Sequence, residues 1–253
     1  MRDFMLAMSA DYEVVTQTVE DVTVRSFYLP GDQAGGEHGL KVAADALRVY
    51  SRRFGAYPFA ELDVVESGTR AGGIEYPGLV VIAESLYGQA GEGSYFDFVV
   101  AHEVAHQWWY SLVGNDQVNH PWLDESLTGY STILYYQDVL GRSVADQVLA
   151  QSFEAPYQRL VQEKRDQKVD QPVAAFTRDD YSAVVYRKGP LFFHALRQAI
   201  GDDKFDAFLK AYFRQNRYDI ATAERMLVAA ESVADRATVR SLFGRWIQSA
   251  ATP

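Results

Sequence analysis

Eight residues, His102-Glu103-Val104-Ala105-His106-Gln107-Trp108-Trp109, constrain this chain more than any other stretch. On an α-helix of about 3.6 residues per turn, positions i and i+4 lie one above the other. His102 and His106 therefore present two imidazoles to one metal ion, and Glu103 can reach a metal-bound water without being a ligand. A catalytic zinc takes three protein ligands and keeps a fourth position open. The third should be a carboxylate, and Glu125 follows His106 after eighteen residues, within Trp122-Leu123-Asp124-Glu125-Ser126. An H-E-x-x-H run alone also arises by chance; with Glu125 in register, the spacing predicts a zinc site formed by His102, His106 and Glu125.

With 253 residues the chain could form one large domain or two small ones, either with a substantial core. A net charge of −10 without a Lys/Arg stripe argues against a nucleic-acid surface. It suits a site that receives a cationic group, although solubility accounts for an acidic surface equally well. With no cysteine there is neither a disulfide framework nor a thiolate metal site, and nothing follows about the compartment. No apolar run approaches the roughly 20 residues of a membrane span, and Met1 to Met8 is too short and interrupted for a signal peptide.

In chain order, Phe4–Met8, Tyr12–Val19 and Val22–Tyr28 read as strands, rich in Val, Thr, Tyr and Phe. The abrupt start at Met1 to Met8 predicts a cut inside a longer protein. Leu40, Ala43, Ala44, Leu47, Tyr50 and Phe54 recur at helical spacing and predict a helix over Glu37–Phe54. A buried strand follows at Leu62–Val65. Glycines and a proline then crowd one carboxylate in Gly72-Gly73-Ile74-Glu75-Tyr76-Pro77-Gly78, as where backbone is pressed close to something; a plain turn with a solvated Glu75 fits as well. Leu79–Ala83 reads as a strand. Ser94 is an N-cap candidate for a helix over Tyr95–Ser111 carrying both histidines, and a second helix is expected over Trp122–Val139. His120 could be an alternative ligand, but before Pro121 it should be extended and off the helix face. Beyond Gly141 the pattern is helical: Val144–Glu163, Val184–Ile200, Asp202–Asn216, Thr222–Ala234 and Thr238–Ser249. Tyr181 and Tyr186 bracket a small apolar turn before Lys188-Gly189.

Together these pieces resemble the gluzincin aminopeptidases of the aminopeptidase N type. Gly72-Gly73-Ile74-Glu75-Tyr76 is similar to the family's G-[AG]-M-E-N motif. His102 to His106 with Glu125 resembles its H-E-x-x-H, eighteen residues, then E signature; Trp122 to Ser126 resembles W-L-N-E-G; and Tyr181 with Tyr186-Arg187-Lys188-Gly189 resembles its Y…Y-x-K-G segment. The resemblance runs from the Phe4 strand to Trp246, with Ile74 and Tyr76 standing where the family has Met and Asn.

The resemblance implies an α+β thermolysin-like zinc metallopeptidase domain, with a sheet-containing lobe over 1–114 and a helical lobe over 115–253. Glu75 would lie on an edge strand and the zinc helix between the lobes. One catalytic zinc ion would be held by His102, His106 and Glu125, with Glu103 as general base and Tyr186 stabilising the oxyanion. Glu75, with Gly72, Gly73 and Tyr181, would bind a peptide substrate by its free N-terminus. The family's flanking domains are absent from the chain, so an upstream β-domain of the same native protein is an expected partner. Two other readings remain: a zinc endopeptidase in which Glu75 is structural, and a non-catalytic peptide-binding module on the same scaffold.

Overall fold

The computed structural model describes residues 3–250. The strand expected at Phe4–Met8 does not form, and the first two positions of the expected Met1 to Met8 start lie outside the described residues. Phe4, Leu6 and Met8 remain 77%, 65% and 80% exposed, so no buried face favours pairing there. The sheet begins with β1 (Glu13–Val19) and β2 (Val22–Tyr28), an antiparallel hairpin. Helix α1 (Gln33–Arg53) crosses over to β3 (Glu61–Ser67), which runs parallel to β2. A second hairpin joins β4 (Gly73–Tyr76) to β5 (Leu79–Ala83), and β5 pairs in parallel with β3. The order β1-β2-β3-β5-β4 leaves β4, with Glu75, at an edge. Gly78 at φ 79° makes the tight β4–β5 turn without steric cost.

Helix α1 starts four residues before its expected Glu37, and tertiary packing is the reason. Gly35 and Gly36, weak helix formers by propensity, let the helix lie directly on its neighbours. A Cβ on Gly36 would fall 2.1 Å from the Tyr28 ring, and one on Gly35 would fall 2.8 Å from Tyr87.

After a short α2 (Glu84–Tyr87), α3 (Tyr95–Ala105) packs between α1 and α4 (Trp122–Val139). Ser94 caps α3 as expected, its hydroxyl accepting the Asp97 N–H at 3.3 Å. The expected continuation to Ser111 is not helical: Trp109 and Tyr110 leave helical geometry, and the chain bulges through Gln107–Leu112 into β6 (Val113–Gly114). Helix α4 keeps its expected bounds. The remainder is α5 (Arg142–Leu149), α6 (Ala155–Gln162), α7 (Arg178–Ala183), α8 (Gly189–Ile200), α9 (Asp202–Asn216), α10 (Ala223–Glu231) and α11 (Arg236–Trp246). A two-residue β7 (Asp219–Ile220), not foreseen, pairs with β6. The long helices expected over Val144–Glu163 and Val184–Ile200 are instead widened at Ala150–Glu154 and Val184–Lys188. Pro156 and Pro190 follow these two places, and each lacks the N–H that would close the preceding turn. One hydrophobic core joins sheet and helices, from Val24 and Leu62 through Trp108 to Phe192 and Phe243. Among the described residues no helix is long and apolar enough to cross a membrane.

Candidate metal centre and cleft

Helices α3 and α4 bring His102, His106 and Glu125 to one point. His102 Nε2 lies 3.2 Å from Glu125 Oε2 and 3.2 Å from His106 Nε2, and His106 Nε2 lies 3.3 Å from the same carboxylate oxygen. A tetrahedral ion with zinc–ligand bonds of about 2.0 Å requires donors about 3.3 Å apart, so the donor set fits such an ion. The bulge after α3 orients the second ring. By turning the Trp109 carbonyl back onto His106 Nδ1 at 3.0 Å, it fixes the proton on Nδ1 and leaves the Nε2 lone pair facing His102 and Glu125. Thr128 Oγ1 sits 3.3 Å from the same Nδ1.

The centre attracts positive charge. Burial lowers the His102 pKa, with Glu125 opposing; at His106 burial also disfavours charge, but Glu75, Glu125 and Glu103 outweigh it and raise the pKa well above the ordinary value. Burial would raise the Glu125 carboxyl too, but His106 and His102 hold it well below the carboxylate range. Buried imidazoles around an ionised carboxylate are stable only with a cation, whether proton or metal, between them.

Glu103 projects from the same helix, 6% exposed, with one carboxylate oxygen lacking any partner. Burial, reinforced by Glu75 and Glu125 and opposed by His106, pushes its pKa well above the usual value. Strand β4 lies against it: a Cβ on Gly73 would come within 2.4 Å of Glu103 Oε1. At the far end of β4, Gln107 donates from Nε2 to the Tyr76 carbonyl at 3.0 Å and accepts the Gly78 N–H at 2.8 Å. Glu75 is thereby held beside Glu103 and His106, one ligand atom of each lying within 4.8 Å of the others. Two residues not singled out from the sequence complete this corner. Gln117 donates to Glu75 Oε1 at 3.3 Å and to Asp124 Oδ2 at 2.8 Å. Asp124 is buried, its pKa pushed up to about 7 by burial and by Glu125. No local pattern marks Gln117, because its partners come from β4 and α4.

Across the cleft, the Tyr186 hydroxyl donates to Glu125 Oε1 at 2.5 Å. Burial and the Glu125 charge drive its pKa far above the ordinary phenol value, so it stays a proton donor. Lys188 anchors this segment from a fully buried position, donating to Asp166 Oδ1 at 2.7 Å and to the Gln167 and Ser249 carbonyls at 2.7 and 2.8 Å. Gly189 leaves room for α4, since a Cβ there would strike Ser126 Oγ at 1.9 Å. The same Ser126 hydroxyl donates to the Val185 carbonyl at 2.7 Å.

The resulting cleft has a volume of about 420 Å³, with Gly72, Gly73, Glu75, His102, Glu103, His106, Glu125 and Tyr186 on its walls. Tyr181 does not line it but packs edge-on behind the Tyr186 ring at 5.6 Å. His120 stands apart, hydrogen-bonded to Asp170 at 2.6 Å and on the protein surface.

The solved structures show the same fold. An M1 zinc metallopeptidase from Deinococcus radiodurans superposes with a TM-score of 0.77 at 24% identity, over 96% of this chain and 53% of that one. A mutant of that protein bound to a Tyr-Ser-Ala substrate superposes at 0.74 with the same identity and coverage. Aminopeptidase M1 from Arabidopsis thaliana is 28% identical over 96% of this chain and 28% of its own length. Aminopeptidase B from Mus musculus is 30% identical over 77% of this chain and 31% of its own length. The chain thus spans less than a third of these curated relatives and about half of the solved chains. The profile of the peptidase family M1 domain matches residues 38–246, from the second turn of α1 to the end of α11, and on that match the chain belongs to peptidase family M1.

Proposed function

We propose that the chain is the catalytic domain of a zinc-dependent aminopeptidase that removes single residues from the free N-terminus of peptides, built as a sheet-containing lobe over residues 1–114 and a helical lobe over 115–253. The observation that carries this reading is the convergence of His102 Nε2, His106 Nε2 and Glu125 Oε2 at 3.2–3.3 Å, beside Glu103 and Glu75 in one cleft.

One zinc ion would be held by these three residues; when bound, it supplies Lewis-acid polarisation of the substrate carbonyl and lowers the pKa of water from 15.7 toward about 7. Glu103, pushed up by burial, is the base matched to that chemistry. It takes a proton from the water that attacks the scissile carbonyl carbon and delivers it to the leaving nitrogen as the C–N bond breaks. The Tyr186 hydroxyl turns from Glu125 to the developing oxyanion, a donor role worth roughly 10²–10³ in rate. Glu75 receives the substrate's α-ammonium; Gln117, already donating to one of its oxygens, sets the orientation of the carboxylate. Gly73 lets the peptide backbone and β4 approach the base.

Metal analysis of the purified chain, combined with a panel of aminoacyl fluorogenic substrates and their N-acetylated forms, tests this reading. The expected result is one zinc per chain, activity removed by chelators, and no cleavage of acetylated substrates. Equal cleavage of blocked and free peptides would make the enzyme an endopeptidase; bound zinc without turnover would make the chain a binding module.

A further inference from the structure

Three arginines, Arg70, Arg178 and Arg187, line the cleft, and among the described residues none is paired with a carboxylate. In a chain with 34 acidic and 24 basic side chains, the buried arginines Arg53 and Arg197 both have carboxylate partners. Arg187 is half-buried, and burial lowers its pKa, with only the Tyr95 and Tyr186 hydroxyls opposing. A desolvated, unpaired guanidinium costs stability, and its planar fork matches a carboxylate.

Its position relative to Glu75 gives the cleft a polarity. Strand β4 runs alongside α3 in the same direction: Gly72 faces Tyr95 and Val99, Gly73 faces Glu103, and Tyr76 is tied to Gln107. Glu75 therefore lies toward the His106 end of α3, whereas Arg187 neighbours Tyr95 at the other end. The His102–Tyr95 separation of seven helical residues corresponds to about 10 Å. A second hollow of about 340 Å³ adjoins the cleft there, sharing Tyr95, Phe98 and Arg187 with it. An extended peptide with its ammonium at Glu75 and its first carbonyl at the metal centre advances about 3.3–3.6 Å per residue. It would reach Arg187 about two or three residues beyond the cleaved bond.

We propose that Arg187 is a specificity residue that binds a substrate carboxylate, so that the preferred substrates are short peptides with a free C-terminus or an acidic side chain at that distance. Arg70 and Arg178, also on the cleft wall, add to its positive potential. The inference rests on the aminopeptidase reading above for the direction of the peptide.

The test compares kcat/KM for Ala-Ala-Ala and Ala-Ala-Ala-Ala with their C-terminal amides and with Ala-Ala-Asp amide. In the unsubstituted chain the acids should exceed the amides about tenfold or more, as expected for a charged hydrogen bond. In Arg187→Gln the acid-to-amide ratio should fall to near one, and Arg187→Lys should keep part of it even if the glutamine variant folds poorly. Ala-Ala-Asp amide cleaved as fast as the free acids identifies a side-chain carboxylate as sufficient; slow cleavage assigns the site to the terminal carboxylate. Calorimetric binding of the same pairs to the zinc-loaded Glu103→Gln variant provides a readout independent of turnover. Absence of turnover on every free-amine peptide would defeat the aminopeptidase reading, while the acid–amide affinity difference would still decide the role of Arg187. An acid-to-amide ratio near one in the unsubstituted chain, or one unchanged by Arg187→Gln in both measurements, overturns the proposal.

Discussion

Gly73 and Glu103 are in such close apposition that a single methyl group on the strand would overlap the carboxylate, at 2.4 Å from Oε1 and 2.5 Å from Cγ. Side chains of L-residues do not tolerate that distance, so Gly73→Ala must displace Glu103, which is buried and has little space to move. The three atoms nearest to that methyl group all belong to Glu103 and none to a candidate ligand. The expected result is a variant that keeps its zinc and loses about 10²-fold or more in kcat, the range for a general base. Glu103→Gln should behave alike. Zinc content by mass spectrometry alongside kcat checks it; loss of metal in either variant would show that this wall of the cleft supports the ligands and not the base.

Tyr186→Phe removes the hydroxyl that donates to Glu125 Oε1 at 2.5 Å. With the oxyanion role proposed above, kcat should fall by roughly 10²–10³ with KM little changed. Tyr181 packs edge-on against that ring and lies outside the cleft wall, so Tyr181→Phe, which keeps the ring, should cost much less. Steady-state kinetics of the pair decides the matter, and equal losses would refute the division of roles.

Lys188 is buried with Asp166, itself 6% exposed, and two backbone carbonyls as its hydrogen-bond partners. Lys188→Met leaves that carboxylate uncompensated, which typically costs about 3–5 kcal/mol. At about 2–4 °C per kcal/mol for a chain of this size, the melting temperature should drop by roughly 10 °C. Adding Asp166→Leu should recover part of the loss. A single variant that melts within a degree or two of the parent would show that the ion pair contributes nothing net.

Glu66 provides a pH-dependent prediction away from the cleft. Its carboxyl is pushed up to about 7 by burial, helped by Asp32 and Glu84, although the Leu29 N–H donates to it at 2.7 Å. The folded chain thus binds this proton more tightly than the unfolded chain, whose carboxyl titrates near 4.5. The associated stability is present below about pH 4.5 and is lost as the pH rises through about 7. Glu66→Gln keeps the shape without the buried charge. Its melting temperature should exceed that of the parent by a few degrees at pH 8 and match it at pH 4.5. A difference of the opposite sign at pH 8 would mean that the charged form is the better accommodated one.

What the sequence determined by itself is local. The i, i+4 geometry places His102 and His106 on one face of any helix that forms there, and Ser94 caps it through a bond to a residue three positions on. Helix α4 keeps both expected ends, with Glu125 in its first turn, and the fold class and the family follow from motifs spread in order along the chain. Tertiary structure alone decided how those pieces meet. Propensity predicted a helix through Ser111, yet packing turned Trp109 out of it, and that turn supplies the carbonyl that orients His106. It also drew Gly35 and Gly36 into α1, held Glu75 through Gln117 from a different segment, and set Arg187 beside Tyr95 with no carboxylate partner among the described residues. Each of these depends on atoms from elements far apart in the chain. Hydrogen bonds and close contacts at such separations leave no periodicity in the sequence, because burial and steric exclusion select them only after the elements have packed.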